Sequence, residues 1–366
     1  MCFEDQLLYT REVFINYKRL IEFMVNYSNI SGSQADMARS AKMIVEFCAD
    51  VKEGEKIVVA SDDAQSPNVY QSIFNAAHCS GADASLLVFP TPEWNVVGEW
   101  VKTPQSLLSI AKSSDCVIYC GVRHLSRDFY DVFESKEGKS RLLMVQGMSE
   151  ESIIRTMPID YANSSSESDK LIELLNRSQK VEVTSPNGTN IVADISDSSS
   201  AMARGTFKIS TDGQPHGGKI EFLPAGRIGT FFVNVPINGS IIIDGFLGLG
   251  LCNGTVELKV VEGRVSEVIG SEGAEQWYLE SLRKLFKLDE NANHVGEIGI
   301  GLHPKARLVG SYEDYGVRGS IRFGFGNSWS KSGKKVASVL HSDCFVMGGT
   351  MRIDGKTIIS NGEIIA

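Results

Sequence analysis

The sequence predicts an α/β region with a doubly wound parallel sheet, followed by a region built mostly of antiparallel β-strands. From residue 40 to about 150, short β-branched strands alternate with segments whose apolar residues recur at helical spacing. After residue 180, short strands follow one another and are separated by turn sequences such as SPNGTN and INGS. A chain of 366 residues is long enough for two such domains, each with its own core.

The α/β region begins with ADMARSAKMIVEFCADVKEG, whose apolar residues keep helical spacing until Gly54. The strand KIVVASDD comes next, followed by a helix that starts near Pro67 and ends at Gly81. The strands ASLLVFP, DCVIYCG and RLLMVQG then alternate with the helices PQSLLSIAKSS and SRDFYDVFESKEG. Strands that are joined through helices pair in parallel, so this order predicts a doubly wound sheet.

The β-rich region is predicted from strand pairs such as KVEVTSPNGTNIVADIS and GTVELKVVEGRVSEVIG, with one helix, AEQWYLESLRKLF. The polar segment NSSSESD, residues 163–169, predicts a solvated linker or a helix cap before DKLIELLNRS. We therefore predict a helical N-terminal extension (1–38), an α/β doubly wound domain (39–170) and a β-rich metal-binding domain (171–366). The candidate metal ligands all lie in the last of these.

Composition argues against several classes of protein. The net charge is −9 and the Lys and Arg residues are dispersed, so we expect no nucleic-acid partner. The seven cysteines stand singly without a CxxC pair, which indicates reduced thiols. No apolar run reaches the length of a membrane span and the N-terminal segment is acidic, so we expect a cytoplasmic protein without a membrane partner.

The most informative pattern is His341 followed by Asp343 in a predicted strand. Side chains at positions i and i+2 of a strand point to one face, so the imidazole and the carboxylate could share a metal ion. Glu297, in HVGEIGIGLHPKA, offers a third ligand. This ligand set suits Fe(II), Mn(II), Zn(II) or Co(II) without choosing among them. The alternative is a surface histidine and aspartate at a strand end.

Several segments in a fixed order resemble a known superfamily. GEIGIGLHPKA, GSIRFGFGNS, LHSD and MRIDGKTIISNGEI are similar to the C-terminal half of the aminopeptidase T metallopeptidases and of their relatives, the 2,5-dihydroxypyridine 5,6-dioxygenases. FLPAGRIGTFFVNVPINGSIIIDG continues the likeness upstream, and the resemblance runs from about residue 40 to the C-terminus. It implies a metal-dependent enzyme that assembles as a homo-oligomer.

Departures from the peptidase pattern imply a single metal. The resemblance places a glutamate where this chain has Arg227, a histidine where it has Arg322, and an active-site tyrosine where it has Trp329. A guanidinium cannot ligate a metal, so two ligands of a two-metal cluster are absent. Glu297, His341 and Asp343 would then hold one divalent ion.

The dioxygenase branch, by resemblance, binds Fe(II) through two histidines and an aspartate at these three positions. The resemblance therefore implies Fe(II). Because Glu297 stands in place of the first histidine, Mn(II) or Zn(II) is an alternative. His124 matches a histidine that the dioxygenases place over the substrate as an acid or base. The alternative is a histidine packed in a loop.

Arg227 and Arg322 then acquire a predicted role in substrate binding, together with Trp329. Two fixed positive charges suit a carboxylate or phenolate, so we expect a small, anionic substrate. Alternatively, each arginine pairs with an acid such as Glu221 or Asp314. The remaining histidines near these segments, His216, His294 and His303, are predicted to be solvent-exposed.

The resulting hypothesis is a mononuclear metal-dependent dioxygenase that opens a hydroxylated, N-heterocyclic or similar aromatic ring. A metallohydrolase that cleaves an amide or peptide is the first alternative, since one Zn(II) or Mn(II) can activate water. A non-catalytic descendant of the family is the second.

Overall fold

The structure is a computed structural model that describes residues 34–134, 140–208, 219–271 and 273–365. The predicted N-terminal extension lies almost entirely outside these ranges. None of the described helices is both long enough and apolar enough to cross a lipid bilayer. The helices are α1 (Gln34–Met43, continued by a π-helical turn Ile44–Cys48), α2 (Pro67–Cys79), α3 (Gln105–Ala111), α4 (Arg127–Glu134), α5 (Glu150–Thr156), α6 (Tyr161–Arg177) and α7 (Gln276–Leu285).

The strands fall into two sheets. The strands are β1 (Lys56–Asp62), β2 (Asp83–Phe89), β3 (Cys116–Tyr119), β4 (Arg141–Met144), β5 (Lys180–Thr184), β6 (Asn190–Asp194), β7 (Ser199–Ala203), β8 (Ile220–Phe222), β9 (Arg227–Phe231), β10 (Gly239–Phe246), β11 (Gly250–Val261), β12 (Arg264–Gly270), β13 (Val295–Gly301), β14 (Ile321–Trp329), β15 (Lys335–Val346), β16 (Thr350–Ile353), β17 (Lys356–Ser360) and β18 (Glu363–Ile364).

The first sheet is parallel and doubly wound, as predicted. Its order is β2-β1-β3-β4-β8, and all neighbouring strands run in the same direction. Alternate residues of β1 enter different cores, because successive side chains of a strand point to opposite faces. Ile57 and Val59 pack with α1, α2 and α5, whereas Val58 and Ala60 pack with α3 and α4.

Strand β8 joins this sheet from a distant part of the chain. Residues 220–222 lie within the range predicted for the β-rich domain, yet they pair with β4, with Ile220 opposite Leu142. The chain therefore leaves the first sheet after β4, builds β5 to β7 of the second sheet, and returns for one short strand.

The second sheet is antiparallel, in the order β18-β17-β16-β5-β6-β10-β15-β14-β13-β9-β7, with β11 and β12 extending from β10. Helices α6 and α7 cover it with apolar side chains that include Leu171, Leu175 and Leu282. The two sheets together confirm the predicted fold class.

The prediction of a linker or a helix cap at residues 163–169 is wrong, because these residues lie within the first half of α6. The side chain of Asp160 caps the helix by accepting from the Asn163 backbone N–H at 3.0 Å. The hydroxyl of Ser168 donates to the Ser164 carbonyl at 2.9 Å, so this polar side chain is satisfied within the helix. The predicted domain division at residue 170 thus falls inside α6.

The two sheets meet at the carboxyl ends of β3, β4 and β8. Trp100, in the loop after β2, donates its indole N–H to the His341 carbonyl of β15 at 2.9 Å. A pocket lies at this junction and is lined by residues of both sheets. Doubly wound folds bind their ligands at this end of the strands.

Candidate metal centre

Adjacent strands bring the three predicted ligands together. Glu297 of β13 pairs with Gly324 of β14, which pairs in turn with Asp343 of β15. Directly opposed residues of antiparallel strands share a face, so the two carboxylates flank a residue without a side chain. A Cβ at Gly324 would lie 2.8 Å from Glu297 Cβ and 2.9 Å from Asp343 Oδ1. His341 reaches the same face from two residues before Asp343, as the H-x-D spacing predicted.

The ligand atoms of Glu297, His341 and Asp343 converge. One from each residue lies within 4.8 Å of the others, and His341 Nε2 is 3.4 Å from Glu297 Oε2. Asp343 Oδ1 is buried and has no hydrogen-bond partner. A buried carboxylate oxygen without a partner is costly unless a cation satisfies it. Two carboxylates and one imidazole therefore fit a divalent metal ion.

Neighbouring groups form hydrogen bonds with the ligand atoms that point away from the cluster. His341 Nδ1 donates to the Asn327 carbonyl at 2.9 Å, so Nε2 carries the lone pair of the neutral ring. The Tyr315 hydroxyl donates to Asp343 Oδ2 at 2.5 Å. Bonds of this kind fix the orientation of metal ligands and tune their affinity.

Arg322 is buried beside the cluster and interacts with both of its acids. Nη2 donates to Glu297 Oε1 at 2.7 Å and to the Ile228 carbonyl at 2.7 Å. Nε lies 3.7 Å from Asp343 Oδ1. The guanidinium passes over Gly299, where any Cβ would collide with it. Glycine in β13 therefore makes room for this buried charge.

The alternative, that each arginine pairs with an acid such as Glu221 or Asp314, holds only in part, because Arg322 pairs with a different acid, Glu297. Among the described residues, neither Arg227 nor Arg322 forms an ion pair with these acids. Glu221 accepts from two backbone N–H groups that follow β7, and Asp314 accepts from two backbone N–H groups of its own loop. Backbone donors already satisfy these buried carboxylates.

Burial and neighbouring charges shift the pKa in opposite directions for Glu297 and His341, but burial and the charge of Glu297 act in the same direction on Asp343. Burial favours the neutral form of Glu297, but Arg322 and His341 bring its pKa down to about 2. Burial disfavours charged His341, but its hydrogen bond with Glu297 and the charge of Asp343 raise its pKa to about 8. Burial and the charge of Glu297 raise the pKa of Asp343. A metal that binds at neutral pH must therefore displace a proton from His341.

Aromatic rings form much of the pocket wall around the cluster. They include Trp100, Tyr130, Phe222, Phe231, Tyr312 and Trp329. Trp329 stacks on Phe231 with ring centroids 3.9 Å apart, and Phe231 lies 6.3 Å from the His341 ring. The predicted pocket residue Trp329 thus lies beside the metal ligands. Flat apolar walls of this kind suit a planar ligand.

His124 lies in the pocket with its imidazole held on two sides. Trp100 stacks on it with ring centroids 4.2 Å apart and planes inclined by 10°. The Tyr130 hydroxyl is 3.1 Å from its Nε2. Burial, followed by the positive charges of His341 and Arg227, holds the pKa of His124 well below its usual value. The ring is therefore neutral near pH 7 and able to accept a proton.

Arg227 also lines the pocket, at the start of β9. Its guanidinium carbon lies 4.5 Å from the Phe222 ring centroid and 4.6 Å from that of Tyr315. Unlike Arg322, it has no ion pair with a described carboxylate, and its Nη1 lacks a hydrogen-bond partner. The two predicted arginines therefore line one pocket but differ in how they are paired.

Sequence reasoning missed Trp100, Tyr130 and Tyr315. Trp100 belongs to a long loop that follows a strand of the parallel sheet, and such loops at the carboxyl edge commonly carry ligand contacts. Tyr315 lies in a short 3₁₀ helix, Tyr312–Gly316, which is not visible as a periodic pattern. Its bond to Asp343 joins residues 28 positions apart.

The predicted exposure of His294 and His303 is wrong, because they are 1% and 0% exposed. Each ring has backbone partners on both nitrogens. His303 Nε2 donates to the Thr156 carbonyl at 2.9 Å, and its Nδ1 accepts from the Lys305 N–H at 3.1 Å. His216 lies outside the described residues.

The fold and the site together define a protein with a candidate mononuclear metal centre between a doubly wound α/β sheet and an antiparallel sheet. Residues 36–366 match the model of the NicX family, described as 2,5-dihydroxypyridine 5,6-dioxygenase. The chain belongs to this family. A search of curated protein sequences finds no match.

Two solved structures share the fold. The 2,5-dihydroxypyridine dioxygenase from Pseudomonas putida KT2440 has 16% sequence identity and a TM-score of 0.71, over 92% of this chain and 99% of that one. Wild-type AmpT from Thermus thermophilus has 14% identity and a TM-score of 0.65, over 91% of this chain and 99% of that one. The predicted superfamily, with its dioxygenase branch, is thereby confirmed.

Proposed function

We propose that this chain is a mononuclear metal-dependent dioxygenase that cleaves a hydroxylated aromatic or N-heteroaromatic ring. The observation that carries the proposal is the convergence of Glu297, His341 and Asp343 beside an aromatic pocket, which Glu297 and His341 line. Membership of the 2,5-dihydroxypyridine 5,6-dioxygenase family supports it. We further propose that the protein is cytoplasmic and forms a homo-oligomer. Size-exclusion chromatography with light scattering would test the oligomeric state.

Glu297 Oε2, His341 Nε2 and Asp343 Oδ1 would hold the metal, which we propose to be Fe(II), with Mn(II) or Zn(II) as alternatives. When bound, Fe(II) supplies the one-electron chemistry that allows dioxygen to react with an aromatic ring. Three protein ligands leave coordination positions for substrate, and the buried walls around them exclude water.

His124 would act as the base. If its Nε2–H is donated to the Tyr130 oxygen, Nδ1 carries the free lone pair and accepts the proton of a substrate hydroxyl. Stacking on Trp100 keeps the imidazole plane fixed while the proton moves. Trp329 would support the face of the substrate ring, and Arg227 and Arg322 would provide positive charge toward its oxygens.

The ligand set also supports a metallohydrolase as the alternative function. A glutamate in place of a second histidine gives two carboxylates, which suit Zn(II) or Mn(II) and a metal-activated water. An amide or peptide would then be the substrate.

One experiment separates these functions. The purified protein is loaded anaerobically with Fe(II), Mn(II) or Zn(II), mixed with 2,5-dihydroxypyridine or leucine amide, and exposed to air. The dioxygenase proposal expects dioxygen uptake with loss of the pyridine ring absorbance and no release of leucine. Leucine release without dioxygen uptake would establish the hydrolase instead.

A matched pair of variants links any activity to the site. His341→Ala removes a ligand and should abolish both metal binding and turnover. His78→Ala removes an exposed histidine of α2 and should leave both unchanged. Absence of both activities and of bound metal in the unaltered chain would indicate a non-catalytic family member.

A further inference from the structure

Arg227 is a buried cation for which the described part of the chain supplies no anion. It is 8% exposed, and its Nη1 has no hydrogen-bond partner. By contrast, the buried Arg204 and Arg322 pair with Asp169 at 3.0 Å and with Glu297 at 2.7 Å. A buried charge without a counter-ion is costly, so an anion from outside the described chain is expected at Arg227.

Three aromatic residues surround the guanidinium, and one of them, Tyr312, forms a side-chain hydrogen bond with it, but Nη1 still has no hydrogen-bond partner. Its central carbon lies 4.5 Å from the ring centroid of Phe222, 4.6 Å from that of Tyr315 and 5.2 Å from that of Tyr312. Ring faces attract the positive charge and replace part of its hydration. They cannot replace an oxygen acceptor in the plane of the guanidinium, where its N–H groups point.

Arg227 and the metal ligands lie on the same face of the second sheet. Arg227 pairs with Gly301 of β13, four residues beyond Glu297, so the two positions are roughly 13 Å apart along the strands. Gly229 and Gly299 lie between them on this face, where the side chains of Glu297 and Arg322 pass close over the sheet, so a ring that spans the distance would lie above these two side chains. The distance accommodates an aromatic ring with a substituent, given the length of the arginine side chain.

We infer that the substrate is an aromatic acid whose ring carries a carboxylate, and that Arg227 binds this carboxylate. A single guanidinium matches the charge and the planar shape of one carboxylate, with two parallel N–H···O bonds. The ring then lies between the aromatic walls with its hydroxyl toward Glu297, His341 and Asp343. This orientation rests on the proposed function, whereas binding of the acid by Arg227 does not require turnover.

The test compares ring compounds with and without the carboxylate. Gentisate is paired with hydroquinone, and 6-hydroxynicotinate with 2-hydroxypyridine. Their dissociation constants for the anaerobic, metal-loaded protein are measured by calorimetry and by quenching of tryptophan fluorescence, since Trp100 and Trp329 line the pocket. The acid of each pair should bind about 10- to 100-fold more tightly, as expected for a charge-assisted hydrogen-bonded pair.

Variants assign the effect to Arg227. Arg227→Met should remove the advantage of the acid, and binding of hydroquinone and 2-hydroxypyridine to the variant would report that its pocket is folded. Arg227→Lys should retain part of the advantage, because the charge remains without the planar fork. Arg177→Met, which removes an exposed arginine of α6, should change nothing.

Equal affinity of the unaltered protein for both members of each pair would overturn the inference, and so would an advantage that survives Arg227→Met. Failure of the proposed function gives a different result. A protein that prefers the acids through Arg227 but consumes no dioxygen with any of these compounds would overturn the dioxygenase proposal and support the subsite.

Discussion

In each candidate ligand, one polar atom forms a hydrogen bond with a neighbour and the other points toward the cluster. Tyr315 bonds to Asp343 Oδ2, Arg322 to Glu297 Oε1, and the Asn327 carbonyl to His341 Nδ1. These neighbours therefore contribute to metal affinity by fixing the orientation of the ligands.

Tyr315→Phe removes one hydroxyl and should weaken metal binding by about 10- to 100-fold, because Asp343 loses the bond that orients it. Metal titration followed by calorimetry measures the change. Tyr312→Phe is the matched control from the same 3₁₀ helix and should leave the affinity close to that of the unaltered protein. Equal losses in both variants would contradict the role assigned to Tyr315.

Buried His303 should make the stability of the protein depend on pH. Burial lowers its pKa from 6.5 to about 4. Between these values the unfolded chain binds more protons than the folded one, so the free energy of unfolding falls as the pH is lowered from 6.5 toward 4. The contribution is at most roughly 1.4 kcal/mol per pH unit.

Urea denaturation of the unaltered protein and of His303→Gln at several pH values measures this contribution. The variant should be less stable at pH 7.5 but should lose stability less steeply on acidification. His78→Gln changes an exposed histidine and should keep the original slope. Identical slopes for all three proteins would refute the assignment to His303.

At the scale of elements, glycines in β9, β13 and β14 determine where charged side chains can lie. A Cβ at Gly229 would collide with Glu297, and one at Gly299 would collide with Arg322. Gly229, Gly299 and Gly324 are therefore needed for a buried ionic network, in addition to any role in strand curvature.

Gly299→Ala should destabilise the protein by about 1–3 kcal/mol, because the added methyl group displaces the Arg322 guanidinium. Arg322→Ala removes the obstructing group, so the double variant should be less destabilised than the sum of the two single changes. Chemical denaturation of all four proteins gives the interaction energy. Strict additivity would mean that the methyl group does not meet the arginine.

The strand and helix alternation and the H-x-D ligands were predictable because they depend on local periodicity and on spacing along one strand. The pairing of Arg322 with Glu297 was not, since it depends on the register of β13 and β14, which no local pattern encodes. The first half of α6 was missed because its serine-rich sequence lacks an apolar stripe. Trp100 was missed because its partner, His341, is 241 residues away.

At the scale of the whole molecule, the candidate metal centre joins parts that the sequence separates. Its ligands come from the second sheet, while His124, Trp100 and Phe222 come from the first sheet and its loops. Metal binding should therefore stabilise the fold as a whole rather than one local segment.

Metal at roughly 100 times its Kd should raise the Tm by about 3–4 °C, as expected from the binding free energy and the chain length. Differential scanning calorimetry with Mn(II), which avoids oxidation, measures the shift. His341→Ala should show no shift, whereas His78→Ala should show the full one. A shift that persists in His341→Ala would locate the bound metal elsewhere.

Because the chain returns to the first sheet to form β8, a cut between the two predicted domains would separate strands of one sheet. A fragment that ends near residue 170 would lack this strand and would leave the backbone of β4 uncovered along one side. The unpaired backbone groups of such an edge can form hydrogen bonds with strands of other molecules, so the fragment should aggregate under conditions in which the intact protein does not. Proteolysis or gene splitting near residue 170 would thus leave the first sheet without β8, which would remain on the C-terminal fragment.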